Sequence, residues 1–204
     1  MNFFSIDSPF HKYGTIIFDM VLLNFLWLVT SVLSLGFLFP LASAALFHGI
    51  YHVVILEEGY TLKTYFSVFQ KKIVRSLGLT IMTFLLYGLS LLNIWSVWSG
   101  YIDIIILLPI YMFLLFETMI TMTFSYALLG ETDMTFKQLM KYGFLLANKH
   151  LIPSLICVIT IVALIFATAF SVLALFFLVA PAYWLMATVI HKGVLSKYHL
   201  DKLI

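Results

Sequence analysis

The stretch PLASAALFHGIYHVVILEEG, residues 40–59, decides how the chain is threaded. It carries no charge before Glu57, yet it sets His48 and His52 one helical turn apart. Three readings compete: a soluble amphipathic helix, half of a metal site, or a short membrane span. The polar residues Ser43, His48, Tyr51 and His52 scatter around the helix, and Val53, Val54, Ile55 and Leu56 complete a fully apolar turn. A helix lying on a membrane surface shows a cleaner polar face, with charges on it. The stretch therefore reads as a short returning span.

Composition supports a lipid environment. Of 204 residues, 63% are hydrophobic and 10% are charged. Soluble domains average about 45–50% apolar and about 25% charged. A chain this short cannot hide that surplus in one core, which points to an integral membrane protein. A net charge of +2 gives no reason to expect nucleic acid. The single cysteine, Cys157, excludes a disulfide framework and a cysteine-based metal site. Ala42-Ser43-Ala44 mimics a signal-peptidase site. However, the apolar run from Thr15 to Phe39 exceeds the roughly 7–15 residues of a signal segment, so it reads as a retained span.

A crossing helix needs about 20 residues, with about 17 as the floor. Candidate spans are 15–38, 40–56, 76–98, 103–128, 152–169 and 172–191. They give one all-α, polytopic transmembrane helical bundle over 1–204, with hairpins at 15–56, 76–128 and 152–191. Six spans put all 11 Lys and Arg on one side. The positive-inside rule makes that side cytoplasmic, with both termini inside and the outer turns short. Trp95, Trp98 and Tyr101 flank one such turn, where an aromatic belt is expected, and Asp103 is its lone charge. If 40–56 does not cross, five spans remain and only Lys12 changes sides. Charge alone separates the two threadings weakly; the apolar character of 40–56 favours six.

The basic side repeats itself. Thr61-Leu62-Lys63 opens one amphipathic connector, 61–75, with Leu62, Tyr65, Phe66, Phe69 and Ile73 on its stripe. Thr135-Phe136-Lys137 opens another, 135–150, with Phe136, Leu139, Met140, Phe144 and Ala147. Each Thr is a plausible N-cap, and acids with glycine precede both helices (Glu57-Glu58-Gly59; Gly130-Glu131, Asp133). Such helices are expected at headgroup level as anchors, or as docking surfaces. The docking candidates are Lys63, Phe66, Phe69, Lys71, Lys72, Arg75, Lys137 and Lys141.

Asn24-Phe25-Leu26-Trp27, Gly36, Phe39-Pro40, the run from Ala42 to Phe47, Glu57-Glu58-Gly59, Phe66, Phe69 and Lys71-Lys72 resemble the YesL family of small bacterial membrane proteins. The match covers roughly residues 20–76. The resemblance implies a helical protein of the bacterial inner membrane without an assigned biochemical activity. It also implies an accessory role beside carbohydrate ABC importers, with their permease subunits as partners. Many relatives carry Arg and Lys where this chain has His48, Gly49, Ile50, Tyr51 and His52.

Polar groups within hydrocarbon are costly and mark packed contacts or function. The intramembrane candidates are Asp19, Asn24, His48, His52 and Glu117. Helix depth makes an Asp19–His52 pair and an Asn24–His48–Glu117 group possible. Mutual hydrogen bonding that fixes the bundle is the favoured role; a proton or solute pathway is the alternative. His48 and His52 at i, i+4 resemble zinc ligands. But H-G-I-Y-H lacks the Glu of a zincin, and Glu117 or Asp19 would have to complete the set, so no metal or cofactor is expected. No Gly-rich phosphate loop or nucleophile elbow is present, which points away from an enzyme. Pro181, well inside 172–191, is expected to kink that span.

Overall fold

The computed structural model describes residues 9–100 and 105–198, and every regular element among them is helical. The elements are α1 (Pro9–Leu33), α2 (Phe39–Gly49), α3 (Thr61–Trp98), α4 (Leu108–Glu131), α5 (Phe136–Lys149), α6 (Leu151–Phe170), α7 (Leu173–Phe177) and α8 (Val179–Gly193). A π-helical turn, Ile50–Ile55, continues α2, and short 3-10 turns occupy Ile105–Leu107 and Leu195–Tyr198. Tyr101 and Asp103 lie outside the described residues.

Among the described residues, four helices are long and apolar enough to cross a membrane: Lys12–Leu33, Thr61–Trp98, Leu108–Glu131 and Leu151–Phe170. They differ in burial. The apolar window of α4 is 67% buried, against 17% for α3 and 11% for α6. So α4 is wrapped by protein, while α3 and α6 turn residues such as Phe84, Leu92, Ile159 and Phe166 outward. Apolar faces this broad are stable against lipid, not water.

Residues 40–59 lie in the centre of the bundle. Pro40 through Phe47 are buried, with Pro40 in the first turn of α2, where its missing N–H leaves no bond unmade. The small residues Ala42, Ser43, Ala44 and Ala45 let neighbouring backbones approach closely. Gly130 of α4 uses that opportunity: a Cβ there would stand 2.7 Å from the Ala44 carbonyl. Returning from a left-handed turn at Leu35 and Gly36 (φ 50° and 84°), α2 pairs Ser43 with Trp27 of α1. Further on, Gly49 meets Leu23, and Lys12 and Glu57 form an ion pair at 2.7 Å. The hairpin is antiparallel along its whole length. The apolar helix Phe39–Ile55 is nonetheless shorter than the four span-length helices.

Several expectations need correction. The connector 61–75 and the span 76–98 are one unbroken helix, α3. At about 1.5 Å per residue its 38 residues measure about 57 Å, well beyond the ~30 Å of hydrocarbon. Its only interior interruptions are single glycines, Gly78 and Gly88, and one glycine costs a helix only about 1 kcal/mol. Its inward face is Thr61, Tyr65, Val68, Lys72, Ser76, Leu79 and Thr83, one position off the expected stripe. Leu62, Phe66 and Ile73 face outward. Hydrogen bonding sets the register: Tyr65 bonds Thr30, Thr80 donates to the Phe37 carbonyl, and Thr83 bonds Tyr126. Thr61 is not the N-cap, which is Tyr60; its hydroxyl donates to Asp19 instead.

Thr135 does cap α5, in a capping box with Gln138. This helix is also part of the bundle. It packs antiparallel along the buried half of α4, with Leu139 and Gly143 at Ser125 and Asn148 at Glu117. A Cβ on Gly143 would overlap the Ser125 hydroxyl, so glycine sets this approach. Finally, 172–191 is interrupted beside Pro181, as expected, with Leu178 as the joint. α7 ends at Phe177 and α8 starts at Val179, with Pro181 in its first turn. A proline there removes one N–H and clashes with the carbonyl four residues back, ending α7.

Candidate functional site

Two polar constellations stand inside the bundle. The first grows from the Asn24–Trp27 pair. Asn24 is buried on α1 and faces the α7–α8 break. Its amide nitrogen donates to the carbonyls of Leu175 (3.0 Å) and Phe176 (2.6 Å) at the end of α7. Its amide oxygen accepts the Ala180 N–H of α8 at 2.8 Å. One side chain thus satisfies both ends of a broken helix, as non-helical backbone away from water requires. One turn later, the Trp27 indole N–H donates to the Ser43 hydroxyl (3.3 Å), which also accepts from Tyr183 (2.9 Å). The pair clasps α1 to α2, α7 and α8.

The second constellation centres on Glu131, the last residue of α4, whose side chain is 1% exposed. His48 Nδ1 lies 3.2 Å from Oε1 and His52 Nε2 lies 3.2 Å from Oε2. The two rings, 4.3 Å apart, present their nitrogens to one carboxylate. His52 sits in the π-helical turn, where an extra residue per turn re-aims the side chain. His191 of α8 approaches from the far side, with Nε2 3.9 Å from Oε1. Its ring stacks on Tyr51 at 3.8 Å and 14°. The His48, His52 and Glu131 ligand atoms all lie within 4.8 Å of one another, a spacing that can hold a metal ion. Next to them Lys72, 8% exposed, donates from Nζ to the Gly130 carbonyl at 2.7 Å, closing the C-terminus of α4. On the exposed loop that follows, the Arg75 guanidinium holds the Asp133 carboxyl below the usual carboxylate range.

The structure brings His48 and His52 together and separates the other expected partners. Asp19 accepts from Thr61, not from His52. Glu117 accepts from Asn148 at 2.6 Å and from Thr121, away from both Asn24 and His48. Each took a nearer neighbour, on an element whose placement helix depth alone does not specify. Lys72 is a buried cap and no docking residue. Lys63, Phe66, Lys71, Lys137 and Lys141 are exposed, while Phe69 and Arg75 are half-buried. Glu131 and His191 are the site residues that sequence reasoning missed. The signal for Glu131 was present: it lies in the acid-and-glycine segment that repeats before each basic helix.

Comparison with family models matches residues 20–94 to a family described as "Protein of unknown function, DUF624". That family includes YesL-like proteins, so the resemblance holds over this segment. It contains Asn24, Trp27, His48, His52 and Lys72, and stops short of Glu131 and His191. No curated protein and no solved structure matches the chain.

Proposed function

We propose that this chain, carrying a DUF624 segment, is a non-enzymatic subunit that assembles with a carbohydrate ABC importer in the bacterial inner membrane. The observation that carries this reading is the free face of α5. Leu139, Gly143, Leu146 and Ala147 are spent on the bundle. Lys137, Lys141, Tyr142, Phe144 and Leu145 are left outward. Beside them opens a cavity of about 830 Å³, bordered by Asp133, Gln138, Tyr142, Leu145, Lys149 and Tyr198. A mixed apolar and cationic face of this kind suits an amphipathic segment of a permease subunit. The sugar-uptake assignment comes from the YesL resemblance. In this reading the chain crosses six times with both ends cytoplasmic, which places the face of α5 on the cytoplasmic side.

A photo-crosslinking residue at Tyr142 tests it. Crosslinks to permease subunits, and co-purification lost on Lys141→Glu with Tyr142→Ala, are the expected results. No permease adduct, together with sugar uptake undisturbed by deletion of the gene, would remove the reading.

The competing function, a small proton-coupled transporter using Asp19, His48, His52 and Glu117, draws support only from the His48–His52–Glu131 cluster. It requires solute movement by the protein alone in liposomes, with a pH dependence that His48→Ala abolishes.

A further inference from the structure

Two imidazoles and a carboxylate converge where the π-helical turn leaves α2, and the importer reading does not use them. We propose that His48 Nδ1, His52 Nε2 and the Glu131 carboxylate bind one divalent transition-metal ion of the zinc type.

Spacing is the first argument. Each imidazole nitrogen stands 3.2 Å from a carboxylate oxygen. A tetrahedral ion with ligand bonds of about 2.0–2.1 Å sets its ligands about 3.3–3.4 Å apart. With His48 on Oε1 and His52 on Oε2, the three ligand atoms lie within 4.8 Å of one another, so a small drawing-in of the rings onto one oxygen would close them around an ion.

Donor chemistry is the second. Two histidines and one carboxylate suit zinc, cobalt(II) or iron(II). Calcium and magnesium want oxygen alone, and copper(I) wants thiolate or thioether. The three protein ligands leave a fourth position.

Surroundings are the third. Metal ligands are oriented by neighbours that fix the ring or the carboxylate. His191, held flat against Tyr51, places a further imidazole beside the cluster, 3.9 Å from Glu131 Oε1. A route in also exists: an open cavity of about 500 Å³ reaches the two imidazoles past Glu58, Tyr60, Lys63 and Ser67. A bound ion would tie the end of α2 to the end of α4. The site stands independently of the importer reading, because its test asks for no partner.

The test uses the full chain, purified in detergent with a histidine-free tag and washed with chelator. Titration with Co(II) and then Zn(II) is expected to show one ion per chain. The Co(II) form should carry the visible absorption of low-coordinate cobalt, and Zn(II) should raise the unfolding temperature. His52→Gln and Glu131→Gln should each weaken uptake about ten-fold or more. His150→Gln, whose imidazole bonds Tyr198 elsewhere, should bind like wild type. Glu131 is deeply buried and its variant risks misfolding. His52, with 21% of its side chain exposed, is the variant to weigh, with helicity checked by circular dichroism. Folded wild type that takes up no ion overturns the proposal; it would leave a hydrogen-bonded His–Glu cluster. Wild-type affinity in folded His52→Gln does the same.

Discussion

Asn24 meets a need created far away in sequence. Pro181 ends the helical pairing between α7 and α8, and the Leu175 and Phe176 carbonyls and the Ala180 N–H turn to one amide. An unmet buried polar group costs about 1–3 kcal/mol, while intramembrane side-chain bonds measure about 0.6–1.7 kcal/mol. Asn24→Leu should therefore destabilise the bundle by about 2 kcal/mol, read by unfolding in a denaturing detergent series. Asn24→Asp should be worse than Asn24→Ala at neutral pH. It keeps the acceptor for Ala180 but aims a carboxylate at two carbonyl oxygens. Equal stability of the Asp and Ala variants would show that the donors do not matter. The residue types at this site were legible in the sequence, since an Asn and a Trp one turn apart in an apolar run announce buried hydrogen bonds. Their partners were not, because nothing local to α1 says that a helix 150 residues later will break beside it.

At the scale of elements, α4 and α5 show what hydropathy reads well and badly. The N-cap at Thr135 and the inward Leu139 and Ala147 followed from local pattern, whereas Phe144 of the same stripe turned outward. The docking of α5 did not, because it depends on Gly143 meeting Ser125. Ser125 donates to the Thr121 and Leu139 carbonyls, so its hydroxyl is part of the seam. Gly143→Ala should cost about 1–3 kcal/mol through overpacking. Adding Ser125→Ala should recover only part of that. The Cβ would still stand 3.0 Å from the Thr121 carbonyl oxygen, which cannot move without the helix. Full recovery in a double-mutant cycle would mean the two helices slide freely. On α3 the hydropathy stripe misled for a different reason. In water the apolar face of a helix turns inward, whereas here Thr61, Tyr65, Ser76, Thr80 and Thr83 go inside to find partners and Leu62 and Ile73 go outside. Amphipathicity fixed the period of the helix and its facing only in part: Tyr65 and Phe69 of the expected stripe turn inward, while Leu62, Phe66 and Ile73 turn out.

For the whole molecule, the open question in the sequence was whether residues 40–59 return across the bundle. The ion pair of Lys12 with Glu57 brings the start of α1 and the end of the π-helical turn to one end of the hairpin. Lys63 follows six residues after Glu57. If α1 and the returning segment both cross the membrane, Tyr13 and Lys63 are expected to face the same compartment. By the positive-inside rule that compartment is predicted to be the cytoplasm. Single cysteines at Tyr13, Lys63 and Ser99, in a Cys157→Ala background, test this with a membrane-impermeant maleimide on intact cells. Cys157 is fully buried, and its removal takes away the only native thiol. Cysteines at positions 13 and 63 should label only after permeabilisation, and one at 99 should label from outside. Labelling of position 13 from outside, with 63 protected, would mean that Phe39–Ile55 enters the bundle without crossing the bilayer. The chain would then have five spans and an external N-terminus. The Glu131 cluster would survive either result, since His48, His52 and Glu131 are joined within the bundle whichever way it is threaded.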